Sequence, residues 1–275
     1  MDDVDEDEAS AGVQATAVGV TRSRHRAERL RAIGDLLAQE DVISVEEFAT
    51  ALTVSTATIR RDLARLEAQG ILIRSHGGAV RVDRSYEVPI GSRVLSRARE
   101  KRRIGAQAAH LVADGEVVGI TGGTTTMEVA RALADRLDLT VVTSALNVGA
   151  ELALRRNIRL VVTGGVARSA SFELSGPIAE RTIREHHLDV AFIGVDGADP
   201  AAGFTTHNDL EGLTNAALVE AATRVVVVAD SAKLGQLKFA KICDVRDVDV
   251  LVTDTGASKD LVAGFERAGV KVVLA

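Results

Sequence analysis

The stretch VSTATIRRDLARLEAQGILIRSHGGAV, residues 54–80, decides the fold of the first third of the chain. On a wheel of 100° per residue, Ile59, Leu63 and Leu66 recur at i, i+4 and i+7, the face a helix turns to a core. Ser55 is a good N-cap for that helix, and Gly70 stands where a helix places its C′ residue. Beyond it, two short apolar runs flank SHGG, which makes a hairpin over 71–82. Upstream, RHRAERLRAIGDLLAQE (24–40) repeats Leu30, Ile33, Leu36 and Leu37 at a helical period. SVEEFATAL (44–52) opens on Ser44 with Glu47 three residues on, a capping box that marks another helix start. Three helices and a hairpin make a winged helix-turn-helix, assigned to 21–83.

The face of the third helix opposite its apolar stripe carries Ala57, Arg61, Arg65 and Ala68, with Thr58 at the edge and Arg60 on the flank. An arginine can donate two hydrogen bonds to a guanine edge, and small neighbours allow close approach to a major groove. Ser55, Thr56 and the N–H groups of the helix start suit a backbone phosphate. Arg74, His76 and Arg81 on the hairpin are placed to touch the neighbouring backbone. The candidate DNA-binding set is therefore Ser55, Thr56, Thr58, Arg60, Arg61, Arg65, Arg74 and His76, and the expected partner is a double-stranded DNA operator.

The net charge of −6 does not oppose this, because the charge is segregated. Residues 1–20 hold six acids and no base and read as a disordered acidic tail; 21–103 carry +6; 104–275 carry −6. Binding to DNA answers to the local field rather than the total.

VSTATIRRDLARLEAQGILIRSHGGAV resembles the signature of the DeoR family of bacterial transcription regulators: a Ser, then TIRRDL, then LE..G.L.R.HGGA. Every element is present, with Ile at one place where the family has Leu (GILIR). The resemblance runs from about residue 25 to the C-terminus. It implies a regulator, most often a repressor, of carbohydrate-metabolism genes, working as an oligomer.

The single cysteine, Cys243, excludes an internal disulfide and a cysteine-based metal site and fits a reducing cytoplasm. The acidic N-terminus is no secretory signal, and no apolar run is long enough to span a membrane. Residues 84–103, rich in Arg and Lys, read as a linker. From 104 to 275 strands and helices alternate. The expected strands are 116–120, 140–143, 158–163, 190–195, 224–229, 250–253 and 270–275. Continuous apolar strands between helices imply a Rossmann-like α/β domain with a parallel sheet covered on both faces, and ligands at the carboxyl ends of its strands.

GITGGTTTMEVA (119–130) is the sharpest feature there. A strand ends, Gly122 and Gly123 let backbone approach a ligand, and Thr124, Thr125 and Thr126 add hydroxyls at a helix start. Together they form an anion cradle suited to phosphate. No Lys follows as in a Walker loop, and the pattern is not G-x-G-x-x-G. Other strand ends offer Thr143 and Ser144, Gly164 and Gly165, Asp196 and Asp199, Glu211, and Asp230 with Lys233. If these loops share one edge, they hold a phosphate, carboxylates for hydroxyls and an ammonium, which is what a phosphorylated sugar needs.

The family resemblance implies an effector domain related in fold to ribose-5-phosphate isomerase. Carried over by motif, Gly122–Thr126 are the phosphate cradle, and Ser144, Asp196, Glu211 and Lys233 are pocket residues. No cofactor is expected beyond this small effector. GVDGAD (194–199) also looks like the Asp-Gly-Ala-Asp segment of those isomerases, where a carboxylate base moves a proton between sugar carbons. An isomerase is thus the alternative reading. Against it, the glycine-rich, lysine-containing segment that follows in isomerases is replaced here by PAAGFTTHNDLEG, and an isomerase needs no DNA-reading module. The pair His186–His187 diverges on a helix with no third ligand, so no metal is expected.

Overall fold

A computed structural model describes residues 26, 28–37, 40, 42–68, 72–75, 77–81, 90–94 and 96–275. The acidic tail, Gly70 and His76 lie outside them. The chain divides into two compact units, Met1–Arg84 and Ser85–Ala275.

The first unit runs α1 (28–37), β1 (Val42–Ser44), α2 (Val45–Ala51), α3 (Thr56–Ala68), β2 (Leu72–Ser75) and β3 (Gly78–Arg81). The capping box closes α2 as expected: Ser44 Oγ accepts the Glu47 N–H at 3.2 Å, and Glu47 Oε2 accepts the Ser44 N–H at 2.7 Å. Ile33, Leu37, Phe48, Ile59, Leu63, Leu66 and Leu72 close into one core. One ion pair strengthens the packing of α1 on α3, with Arg29 Nε 2.6 Å from the nearly buried Asp62.

The sheet order is β1-β3-β2, all antiparallel. The hairpin was legible; β1 was not, being three residues long and lying directly before the α2 cap. It explains the second glycine of SHGG. Gly78 pairs with Ser44, and a Cβ there would lie 2.3 Å from the Ile43 carbonyl oxygen. Gly78→Ala is expected to cost about 1–3 kcal/mol by forcing β1 off β3. Urea unfolding reads the loss, and an unchanged midpoint would show that β1 does not hold the wing.

The second unit begins with α4 (Ile90–Arg93) and α5 (Ala98–Ala109), then β4 (Val117–Ile120), α6 (Thr124–Leu133), β5 (Leu139–Thr143), α7 (Leu146–Leu152) and β6 (Ile158–Val162). A small hairpin, β7 (Val166–Ala167) with β8 (Leu174–Ser175), precedes α8 (Pro177–Arg184) and β9 (Leu188–Gly194). There follow β10 (Gly197–Asp199), β11 (Gly203–Thr206), α9 (Asp209–Ala221), β12 (Ala222–Val228), β13 (Ala240–Cys243), β14 (Val250–Thr253), α10 (Lys259–Arg267) and β15 (Lys271–Leu274).

The main sheet has seven strands in the order β15-β14-β12-β9-β4-β5-β6, every pairing parallel. All seven expected strands are in it, with ends shifted by a residue or two. Both faces are apolar. Val118, Ile120, Val190, Phe192, Val226 and Val228 pack with α5, α6 and α7 through Ile104, Val129, Leu133 and Val148. Ala191, Ile193, Val225, Val227 and Leu251 pack with α8, α9 and α10 through Ile183, Leu218 and Phe265. Adjacent residues facing opposite layers is the period-2 rule of strands, doubly satisfied by apolar side chains.

The chain builds outward from β4 to β5 and β6, then returns to the other side of β4 at β9. The gap between the carboxyl ends of β4 and β9 is therefore a topological switch point, where open α/β sheets place ligands.

The described part of 84–103 is not a bare linker. It holds α4 and the first half of α5, whose Lys101, Ile104, Gly105, Ala108 and Ala109 are buried on one face. The dense exposed positive charge of Arg99, Arg102 and Arg103 masks that apolar stripe in the sequence. A second, antiparallel sheet, β10-β11-β13, was also unforeseen.

Candidate functional site

The candidate DNA-reading face of α3 is exposed along Ala57, Arg60, Arg61 and Arg65, while Ile59, Leu63 and Leu66 are buried beneath it. Ser55 Oγ accepts the Thr58 N–H at 3.2 Å and lies 2.9 Å from Thr58 Oγ1, so both hydroxyls help start the helix. Thr56 is half-buried at the first turn. Arg61 Nε donates to the Ala57 carbonyl at 3.2 Å, which leaves the rest of its guanidinium outward. Among the described residues, no acidic side chain pairs with Arg60, Arg61 or Arg65. Arg74 differs: its Nε is 2.6 Å from Glu67 Oε2, so it clips β2 to α3. His76 lies outside the described residues.

In the second unit, a cavity of about 170 Å³ opens at the switch point. Four strand ends feed it. Gly122 and Gly123 follow β4 and Thr124 and Thr125 begin α6; Gly194 ends β9, and Val195 and Asp196 follow it; Thr206 ends β11; Asp230 and Lys233 follow β12. The ends of β4 and β9 are tied by Gly194 N–H to Thr121 Oγ1 at 2.8 Å. The Met127 N–H makes the first backbone bond of α6, to the Gly123 carbonyl, so the amides of Thr124, Thr125 and Thr126 precede the helical ladder. That is the donor set of an anion site.

Asp196 is the hub of the wall. Its carboxyl is 2.9 Å from Arg93 Nη1, 3.0 Å from Lys233 Nζ, 2.9 Å from His207 Nδ1 and 3.2 Å from Thr206 Oγ1. Burial alone would raise its pKa, but the His207 contact and the charges of Lys233 and Arg93 outweigh that and hold it well below the usual carboxylate range. Lys101 donates to the Arg93 carbonyl at 2.8 Å, and burial pushes its ammonium down to about 8. Arg97 spans Ser231, Asp230 and Asp254 at 2.7, 3.4 and 3.3 Å.

Glu173 is the opposite case. Burial, and then the neighbouring Glu211, push its carboxyl up to about 8. The folded protein thus binds a proton that the unfolded chain releases near 4.5. This group contributes stability that is fully present below the unfolded value and is lost as pH rises through the folded one. The melting temperature is expected to fall between pH 5 and 8, and Glu173→Gln to flatten that decline in differential scanning calorimetry. Equal slopes for the two proteins would remove Glu173 as the source.

The cavity thus gathers Gly122, Gly123, Thr124, Thr125, Asp196, Glu211, Asp230 and Lys233 from the residues singled out in the sequence. It does not gather Thr126 or Ser144. Thr126 is buried in α6 with its hydroxyl on the Gly123 carbonyl at 3.2 Å, and Ser144, just after β5, is fully buried with its hydroxyl unpartnered among the described residues. Gly164, Gly165 and Asp199 are likewise off the wall; Asp199 accepts the N–H groups of Ala201 and Ala202 and serves a turn. Sequence reasoning missed Arg93, Arg97, Lys101, Ser171, Glu173 and Asn215. The first three lay in the supposed linker; the signal for Arg97 and Lys101 was the apolar spacing of α5.

Two family models match the chain: a DeoR-like helix-turn-helix domain over residues 29–85 and a DeoR C terminal sensor domain over 96–255. The chain belongs to the DeoR family. This DeoR-family protein is 35% identical, over 94% of its length and 97% of the relative's, to a putative aga operon transcriptional repressor of Escherichia coli. It is 38% identical to the HTH-type transcriptional regulator GlpR of Haloferax volcanii, over 90% of this chain and 97% of that one. To the glycerol-3-phosphate regulon repressor of Escherichia coli it is 31% identical, over 82% and 90%. Among solved structures, ribose 5-phosphate isomerase A of Methanocaldococcus jannaschii overlays 50% of this chain and 55% of its own, at 23% identity and a TM-score of 0.37. The DeoR-family protein is a transcription regulator rather than an enzyme, and the isomerase alternative falls. Among the described residues no helix is long and apolar enough to cross a membrane.

Proposed function

We propose that this DeoR-family regulator is a repressor of carbohydrate-metabolism genes that binds operator DNA through α3 and the β2–β3 wing and is released by a phosphorylated sugar. The observation that carries the reading is the cavity at the switch point, where one wall is a Gly-Thr helix start and another is a cluster of fixed charges. The amides around Gly123–Thr125 suit phosphate oxygens. Asp230, Glu211 and Asn215 suit hydroxyls, and the Asn215 side-chain oxygen is buried there with no hydrogen-bond partner among the described residues. A purely apolar ligand would find no reason for this wall.

A sugar phosphate that prefers the free protein over the DNA-bound one must weaken DNA binding by the same differential free energy. The operator is read by a dimer or tetramer, since one winged helix offers few base contacts and paired half-sites match a two-fold assembly. The regulator works in the cytoplasm, where the operator is. A thermal-shift panel of sugar phosphates against their parent sugars tests the pocket. A bound ligand at 100 times its Kd stabilises by about 2.7 kcal/mol. Shifts with phosphorylated members only are expected; shifts with parents alone would contradict the phosphate assignment.

A further inference from the structure

Glu173 lies against the cradle itself. Its Oε1 accepts the Gly122 N–H, and a Cβ on Gly122 would lie 2.3 Å from Glu173 Cγ. Gly122, Glu173 and the helix start Gly123–Thr125 line the same cavity. The carbonyl oxygen of a protonated carboxyl and a phosphate oxygen are both acceptors that seek the same amides. A phosphate seated deep enough to use the Gly122 N–H meets the Glu173 carboxyl in its place, with Glu211 close behind it.

Two further observations show what Glu173 is attached to. First, its other oxygen, Oε2, is buried with no hydrogen-bond partner among the described residues, so the Gly122 amide is a principal anchor of that carboxyl. Second, its backbone closes a turn. The Arg168 N–H donates to the Glu173 carbonyl at 2.9 Å and the Phe172 N–H to the Arg168 carbonyl at 2.8 Å. Phe172 is held at φ +61°, in the left-handed region that costs a residue with a Cβ. Within the turn, the Ala170 carbonyl accepts the Ile90 N–H at 2.7 Å. Ile90 is buried and is the first residue of α4, six positions after Arg84, where the DNA-binding unit ends. Arg168 and Ser171 also hold Glu211 from the turn.

We propose that Glu173 is an internal stand-in for the effector's phosphate: phosphate and the Glu173 carboxyl compete for the Gly122 N–H, and displacement of the carboxyl moves the 168–173 turn and, through Ala170, the start of α4. The inference rests on the phosphate reading of the cradle. It supplies what a coupled site needs, a contact that differs between two states and an element that the contact pins. The element is the turn. Its far bond is to the segment that leads into the DNA-binding unit.

The test is calorimetric titration of the full-length protein and its Glu173→Ala variant with inorganic phosphate at pH 7 in a non-phosphate buffer. Removing the competitor should tighten phosphate binding at least tenfold. A second measurement needs no variant: amide hydrogen exchange of the wild type with and without phosphate. Exchange at 168–173 and at Ile90 should quicken when phosphate binds. Equal or weaker binding by folded Glu173→Ala overturns the proposal, because Glu173 would then be neutral or a ligand group. Unchanged exchange at the turn and at Ile90 overturns the relay. If neither protein binds inorganic phosphate or any phosphorylated sugar, the phosphate reading itself fails and takes this one with it. Binding by both with equal affinity sinks the stand-in alone.

Discussion

Asp196→Ala is expected to destabilise the second unit by about 3 kcal/mol or more, the low end of the range for removing one partner of a buried ion pair. Asp196 is 7% exposed, and its carboxyl anchors Arg93, Lys233, His207 and Thr206 at once. Truncation leaves two cations facing each other without their shared anion. Their side chains are 20% and 27% exposed, so partial rehydration keeps the loss toward the low end. Asp196→Asn should cost less, since an amide oxygen can still accept from Thr206. Urea unfolding of the three proteins reads the order. Because the carboxyl is held below its ordinary range, its contribution is present above the unfolded value and disappears only as pH falls through the folded one. The gap between wild type and Asp196→Ala should therefore persist at neutral pH and close only in strong acid. A loss below 1 kcal/mol at pH 7 would mean that the charges around Asp196 are already satisfied by solvent.

Arg61→Ala is expected to weaken specific operator binding by about 1–3 kcal/mol, roughly fivefold to 150-fold. The side chain is exposed on α3, pairs with no acid among the described residues, and uses only its Nε within the helix. Its loss should leave the melting temperature unchanged, which separates a contact to DNA from a structural role. Arg74→Ala makes the contrast. Arg74 is paired with Glu67 on an exposed face, where such pairs contribute under about 1 kcal/mol, and its removal should alter the operator affinity less than Arg61→Ala does. Fluorescence anisotropy with labelled operator at fixed salt measures both. Equal losses for the two would show that the wing grips the operator as firmly as α3 does.

The elements legible in the sequence are those whose periodicity is uninterrupted. Ile59, Leu63 and Leu66 announced α3, and runs such as 224–229 announced the parallel strands, because an apolar strand between helices has few other homes. The strand-to-helix turn at Gly122–Thr124 was legible because a Gly-Gly-Thr sequence between strand and helix carries its own local geometry. What stayed hidden depends on partners far along the chain. Glu173 meets Gly122 across 51 positions and Arg93 meets Asp196 across 103. β1 and β13 exist because β3 and β11 offer an edge, not because their three and four residues prefer to be extended. Ser144 read as a ligand group because it follows a strand; it is fully buried at the end of β5 and does not line the cavity. Arg97 and Lys101 were hidden by their own charge, since a basic run reads as solvated surface until its apolar stripe is counted.

The central claim is that one chain joins an operator-reading α3 to a pocket for a phosphorylated sugar. It is tested most directly by anisotropy of labelled DNA from upstream of the protein's own gene, with and without matched pairs of sugar phosphate and parent sugar. The account predicts specific binding that one phosphorylated sugar releases and its parent does not. Release by the parent sugar with equal potency, or specific binding that no member of the panel alters, would contradict it.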